Sequence, residues 1–173
     1  AGLTSLDLSA VFDGSYDVYM SYGAFEYNQI ESLTIPSFVK SLGESSFKQD
    51  GTFPRLSSLT FETDAQGNGI EEIKYGAFQS CDTLAGQEMI ALPSSLKYLD
   101  GGAFSYCGAL NVRLDNSAIR FGNKSSDGET PGCPFDEGTT IYAYKYKSDG
   151  TESDPYRLSQ SHSGNIYHYV WID

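Results

Sequence analysis

The groups with the strongest intrinsic chemistry in this chain are three cysteines and two histidines. Cys133 and His162 could pair as nucleophile and base, but such a pair needs a third group to orient the imidazole. The sequence offers neither that group nor a known motif around it, so no hydrolase constellation assembles. His162 sits in a Ser/Gly turn and is expected to be solvated. His168 falls on the Ile/Val side of an alternating stretch and is expected to be half-buried packing or a hydrogen-bond partner. DAQGNG (64–69) partly mimics a calcium loop, with Asp64, Gln66 and Asn68 at alternate places. Its twelfth position is Tyr75, where a bidentate Glu is required. A turn rich in Gly and Asn accounts for the same residues, and SDGTESD (148–154) is no better a metal loop. No Cys/His spacing suits zinc, and no glycine-rich phosphate loop follows a strand and opens a helix. No catalytic, cofactor-binding or metal residue is therefore assigned.

Binding chemistry is better represented. In TIYAYKY (140–146), Tyr142, Tyr144 and Tyr146 fall on one side of an alternating strand. In NIYHYVWID (165–173), Tyr167, Tyr169 and Trp171 oppose Ile166, His168, Val170 and Ile172. Between them SDPYRLSQS reads as a short helix, with Asp154 as N-cap and Pro155 as first residue. The resulting strand–helix–strand unit is expected to close the end of the domain. Its tyrosine face has two readings: rings that cover what lies beneath, or a platform for sugar rings or a protein partner.

The elements that position these groups follow from a period. GAFQSC starts at Gly76 and GAFSYC at Gly102, and YGAFEYN carries the same core around Phe25. ESSF ends a degenerate copy at Phe47, and GCPF a weaker one at Phe135. The phenylalanines are 22, 31, 26 and 31 residues apart. Met20, Leu42, Ile73 and Leu99 stand five residues before the first four. Asn28, Asp50, Cys81 and Cys107 stand three after, where buried turn amides need a partner. Phe135 lacks this frame, with Thr130 and Gly138 at the equivalent places. Gly23, Gly76 and Gly102 would permit a tight turn with positive φ. Short alternating runs at 5–9, 32–36, 58–62, 89–93 and 111–115 read as half-buried strands.

No unit of this size can bury its apolar edge alone, so the copies are expected to stack, ring on ring, along one core. TDAQGNG (63–69) and GNKSSDGETPG (122–132) are expected surface insertions. Cys81 and Cys107 fall in adjacent coils and are expected to be reduced core thiols. Cys133, in a Gly/Pro loop, is the expected accessible thiol. On the strands, Thr34, Thr60, Ala91 and Arg113 point outward in a mixed column that can meet a partner or simply be solvated sheet.

GAFSYCGAL, ESLTIPSFVKSLGESSF and LPSSLKYLDGGAF resemble the BspA-type leucine-rich repeats of bacterial surface proteins, over about residues 3–121. The resemblance implies a leucine-rich-repeat solenoid, with short parallel strands stacked coil on coil. Residues 1–133 would form its four to five coils and 134–173 the C-terminal capping unit. It also implies an extracellular or cell-surface protein active in adhesion, co-aggregation or host-protein binding. The family has no shared catalytic motif to carry over.

The chain has 173 residues and a formal net charge of −12. That charge argues against nucleic acid and against anionic membrane as partners. No stretch approaches the ~20 apolar residues of a membrane span. AGLTSLDLS begins inside a repeat strand without a polar cap, as a mature or truncated fragment would. The function expected is noncatalytic recognition of a protein or surface polymer through the strand column. The alternatives are a carbohydrate-binding module using the C-terminal Tyr/Trp face, and a passive spacer. The oligomeric state is left open.

Overall fold

The structure is a computed structural model and describes residues 3–116, 119–122, 133–144, 146–147, 152–153 and 168–172. Its strands, in chain order, are β1 (Val18–Tyr19), β2 (Ser32–Ile35), β3 (Val39–Leu42), β4 (Ser58–Phe61), β5 (Glu72–Ile73), β6 (Ile90–Leu92) and β7 (Tyr98–Leu99), followed by β8 (Asn111–Leu114), β9 (Arg120–Phe121), β10 (Thr140–Tyr144), β11 (Tyr146–Lys147), β12 (Glu152–Ser153) and β13 (His168–Ile172). From β2 to β9 each coil contributes two strands, so the chain winds as a solenoid of parallel strands. One sheet runs β1-β3-β5-β7-β9. Along the other side β2 pairs with β4, and β6, β8, β10 and β13 form a four-stranded sheet.

The longer strands are those the alternation marks, because β-branched and leucine residues fill every second place. In β2, Leu33 and Ile35 are buried while Ser32 and Thr34 are exposed. The first sheet is less visible in sequence. Apart from β3, its strands are two residues long, too short to show a period.

Between the sheets the Gly-Ala-Phe turns stack. Phe25–Phe47, Phe47–Phe78 and Phe78–Phe104 are stacked pairs with centroids 5.2, 5.9 and 5.0 Å apart. Phe135 extends the column, tilted at 5.5 Å from Phe104, and is 2% exposed. It does so without the flanking frame, because the ring needs only the turn beneath it. The turns also bond to one another. Phe25 N–H donates to Ser46 O at 2.7 Å, Phe47 N–H to Ala77 O at 2.8 Å and Phe78 N–H to Ala103 O at 2.9 Å. Gly23, Gly76 and Gly102 have φ of +60°, +63° and +73°, as the sequence leads one to expect.

In the degenerate copy, Ser45 takes the glycine place at φ +56°, where an L side chain costs roughly 1–2 kcal/mol. The next residue, Ser46, is fully buried with a hydroxyl that has no hydrogen-bond partner among the described residues. The double variant Ser45→Gly/Ser46→Ala should therefore raise unfolding free energy by about 1–2 kcal/mol, read from urea denaturation. An unchanged or lower midpoint would contradict this account of the turn.

Three expectations are corrected. SLDLS (5–9) is not a strand: Leu8–Val11 form a single helical turn, α1, with the Asp7 carboxylate accepting from Ser9 and Ala10 N–H. That local cap outcompetes a strand of so few residues. The stretch 140–146 is not one strand. β10 ends at Tyr144, and Tyr146 belongs to β11, which pairs antiparallel with β12. The buried polar column runs through Gln49, not Asp50. Asp50 is exposed, whereas Gln49 is 1% exposed. Its Nε2 donates to Asn28 Oδ1 at 3.0 Å and to Ile30 O at 2.9 Å, and its Oε1 accepts from Arg55 and Leu56 N–H. The longer side chain reaches from one residue earlier.

β4 and β6 do not share a regular ladder. The Gln87 side chain fills the gap. Its Oε1 accepts from Leu59 N–H at 2.8 Å, and its Nε2 donates to Leu59 O at 3.0 Å and Met89 O at 2.8 Å. Gln87→Ala leaves those backbone groups without that partner and should cost about 2 kcal/mol. A thermal melt within experimental error of wild type would show the seam to be held by other contacts.

Candidate functional site

The outward positions of the second side come together in register. Thr34 pairs with Thr60 across β2 and β4. Ala91 pairs with Arg113, Arg113 with Tyr142, and Tyr142 with Val170. Cross-strand partners in a parallel ladder share a face, so Ala91 and Arg113 continue in register into the C-terminal strands, while Thr34 and Thr60 form a separate pair. Thr34 and Thr60 are exposed, and Ala91, Arg113 and Tyr142 are half-buried. Val170 is 41% exposed. A second row lies beside it, with Asn111, Thr140 and His168 in register.

The stripe is nearly neutral despite the acidity of the chain. Arg113 is clamped by Asp115, with Nε to Oδ1 at 2.8 Å and Nη2 to Oδ2 at 3.0 Å. A two-pronged pair of this kind fixes the guanidinium and cancels its charge. At the N-terminal end, a groove of about 420 Å³ opens beside Thr34. Its wall includes Leu6, Asp7, Ser32, Pro36 and Glu62. The arrangement offers hydroxyls, one paired guanidinium, a tyrosine ring and small apolar patches. It can hold a partner by surface contact.

The tyrosine face of the sequence reading divides in two. Tyr142 pairs with Val170 and Tyr144 with Ile172, whereas Tyr169 pairs with Ile141 and Trp171 with Ala143. Ile141 and Ala143 are fully buried. β10 and β13 pair even-numbered residue with even-numbered residue, so Tyr142 is not in register with Tyr169 or Trp171. Tyr146 has left that sheet with β11. Tyr167, His162 and the 154–161 segment lie outside the described residues, and with them the Cys133–His162 pair and the proposed helix. His168 is exposed, not half-buried, because its partner Thr140 lies on the outward side.

The cysteines split as well. Cys81 and Cys107 are fully buried. Their thiols donate to carbonyls one coil back, Cys81 Sγ to Phe47 O at 3.7 Å and Cys107 Sγ to Phe78 O at 3.0 Å. Burial, and then the neighbouring Cys107, push the Cys81 thiol well above its ordinary 9.0. The sign follows directly. The unfolded chain ionises first, so this contribution to stability is complete below about 9 and fades as pH rises through the higher folded value. Both thiols should resist iodoacetamide in the folded protein and react fully after denaturation, as mass spectrometry would record. Labelling of either without unfolding would refute the burial. Cys133 is half-buried against the core, less accessible than its loop composition implies.

The turn at 64–68 is internally satisfied. The Asp64 carboxylate accepts from Gln66 N–H, Asn68 N–H and Asn68 Nδ2, and these bonds to Asn68 and Gln66 hold its pKa below the usual value. Near the other end, Asp136 accepts from the N–H groups of Tyr106, Cys107 and Gly108 at 3.0, 2.7 and 2.8 Å. Among the described residues, no group of three His, Cys, Asp or Glu converges on a point that could hold a metal ion.

Sequence reasoning missed one recurring surface. Tyr22 and Tyr75 stand three residues before Phe25 and Phe78, and Tyr27 and Tyr106 stand two after Phe25 and Phe104. Tyr22, Tyr27 and Tyr106 are 70%, 62% and 69% exposed. Their signal was the same phenylalanine frame, read for buried positions only.

A family model described as BspA type leucine rich repeat region matches residues 15–111 and 53–127, in six copies. No curated protein and no solved structure matches the chain. No helix among the described residues is long and apolar enough to cross a membrane.

Proposed function

This chain belongs to the BspA-type leucine-rich repeat family, and from that premise we propose that it is a noncatalytic recognition module that binds a protein partner. The contact surface is the stripe through Thr34, Thr60, Ala91, Arg113 and Tyr142. One observation carries the reading: on the second side Ala91, Arg113 and Tyr142, from strands β6, β8 and β10, stand in one row, and Thr34 and Thr60, from β2 and β4, stand in another. A stripe of that kind presents many weak contacts at fixed spacing, which is how solenoids gain affinity without a deep pocket. The pairing of Arg113 with Asp115 leaves it a hydrogen-bonding surface more than a charged one. Adhesion at a cell surface, between cells or to a host protein, is the role that fits the family resemblance. The net charge of −12 disfavours nucleic acid and anionic membrane as partners.

The test is surface plasmon resonance of the immobilised chain over a panel of host plasma and matrix proteins and over whole bacterial cells. Wild type should retain at least one of these. The double variant Arg113→Glu/Tyr142→Ala should weaken that retention about tenfold or more while melting near the wild-type temperature. Retention unaffected by the double variant would move the interface elsewhere and sink the proposal.

A further inference from the structure

The β1 end of the solenoid shows a cut through its own core, on residues that the stripe does not use. Ser46, Ala77 and Ala103, the small residues before the later phenylalanines, are fully buried, whereas Ala24 is exposed. Phe47, Phe78 and Phe104 are at most 1% exposed, whereas Phe25 is half-buried. Met20 is half-buried where Leu42, Ile73 and Leu99 are fully buried. The part of this end beside β2 is already covered. Residues 6–9 line a groove with Ser32 and Thr34, Leu8 is 1% exposed, and Leu3 O accepts from Gln29 N–H at 2.8 Å. The part that carries β1 and the Phe25 turn has no such cover among the described residues.

The backbone at this end carries a matching half-pattern. In later turns the carbonyl before the phenylalanine accepts from the preceding turn, as Ser46 O does from Phe25 N–H and Ala77 O from Phe47 N–H. The carbonyl after it does the same: Lys48 O accepts from Tyr27 N–H at 2.7 Å, and Gln79 O from Gln49 N–H at 3.0 Å. The corresponding groups in the Phe25 turn are Ala24 O and Glu26 O, and nothing among the described residues donates to either. Carbonyls two residues apart call for N–H donors at the same spacing, which a polypeptide backbone supplies. The ring beside them is also a half-interface. Phe25 covers Phe47 at 5.2 Å and Phe47 covers Phe78 at 5.9 Å, so the shape that fits on Phe25 is the preceding turn of the same repeat. A second copy of the chain has no such turn to spare. Phe47, Phe78 and Phe104 are buried between neighbours, and Phe135 is 2% exposed.

We propose that this end is a docking face for one further strand and Gly-Ala-Phe turn of the same repeat family, added in parallel ahead of β1. Its aromatic ring stacks on Phe25, and its two apolar strand residues pack on Val18 and Met20. Its N–H groups at the phenylalanine and two residues on donate to Ala24 O and Glu26 O. Strand addition of this kind draws affinity from the backbone and selectivity from the side chains. The face is independent of the stripe, and either can fail without the other.

The probe is a peptide of this chain's own residues 96–106, LKYLDGGAFSY, titrated calorimetrically into the purified chain. Saturable heat is expected, with a melting temperature that climbs with peptide concentration. The peptide carrying Phe104→Ala, or a methyl group on the Phe104 nitrogen, should bind about tenfold or more weakly. Ala24→Leu in the chain should weaken binding at least as much, because the larger side chain holds the two backbones apart. Ala24 is exposed, so that variant should melt with the wild type, which keeps the result free of folding effects. Arg113→Glu should leave binding unchanged. Ordering a free peptide costs affinity, so the same segment is also joined ahead of Ala1, where linkage removes much of that cost. This fusion should melt above the same fusion with Phe104→Ala in the added copy, and either the heat or this difference supports the face. No heat together with equal melting of the two fusions would overturn the proposal. So would equal binding of the Phe104→Ala peptide, binding undiminished in Ala24→Leu, or self-association of the chain that Ala24→Leu abolishes, which would give the face to a second copy.

Discussion

Phe78→Ala should lower the melting temperature by about 6–20 °C. The figure combines roughly 3–5 kcal/mol for truncating a packed core phenylalanine with about 2–4 °C per kcal/mol for a domain of this size. Phe78 is fully buried and touches three other rings. It stacks on Phe47 and on Phe104 at interplanar angles of 9° and 19°, and meets Phe61 edge-on at 88°. Removing it opens a void midway along the column, and the backbone bonds from Phe78 N–H to Ala103 O and from Phe47 N–H to Ala77 O resist collapse of the coils into that space. Phe25 provides the internal comparison. It is half-buried and stacks on Phe47, so Phe25→Ala should shift the melt by less than half as much. Differential scanning calorimetry of the two variants decides the matter. Equal shifts, or a Phe78→Ala shift within a degree of wild type, would remove the ring column as the main source of stability.

Gly43→Ala should cost about 3 kcal/mol, at the upper end of what a single added methyl does to a packed site. A Cβ there would stand 2.6 Å from Met20 O, Ser21 C and Ser21 O. All three atoms are backbone of the preceding coil, so no side-chain rotation can relieve the contact. The coils must part, and parting them strains the bonds from Met20 N–H to Ser41 O and from Gly23 N–H to Glu44 O. Gly67→Ala is the control. Its φ is +81° but nothing lies within 4 Å of the added carbon, so only the backbone preference of roughly 1–2 kcal/mol is lost. Urea unfolding should give a much lower midpoint for Gly43→Ala than for Gly67→Ala. The reverse order would mean that neighbouring coils lie farther apart than the structure places them.

The ring column was legible because its signal is local: a turn of three residues, an apolar residue five before, a polar or sulfur-bearing one three after. Phe135 shows the limit. Its ring obeys the stack while its neighbours break the frame, so pattern matching undervalued it. Gln49 shows another, since a side chain one methylene longer than Asn28 does the same work from one residue earlier, and a fixed offset points to Asp50 instead. The two-residue strands of the first sheet carry no period at all, although their order follows from the coils that contain them. Of the candidate stripe, Thr34, Thr60, Ala91 and Arg113 could be placed outward from alternation alone. Their continuation into Tyr142 depends on register between distant strands, which sequence does not encode locally. The same register separates Tyr142 from Tyr169 and Trp171.

One side-chain amide spans the break between β4 and β6, where the rest of the wall has backbone ladder. The same two coils stay joined on their other side by the β5–β7 pairing and the Phe78–Phe104 stack. Loosening at the stitch would part only the second wall, like a hinge, and leave the coils joined along the first.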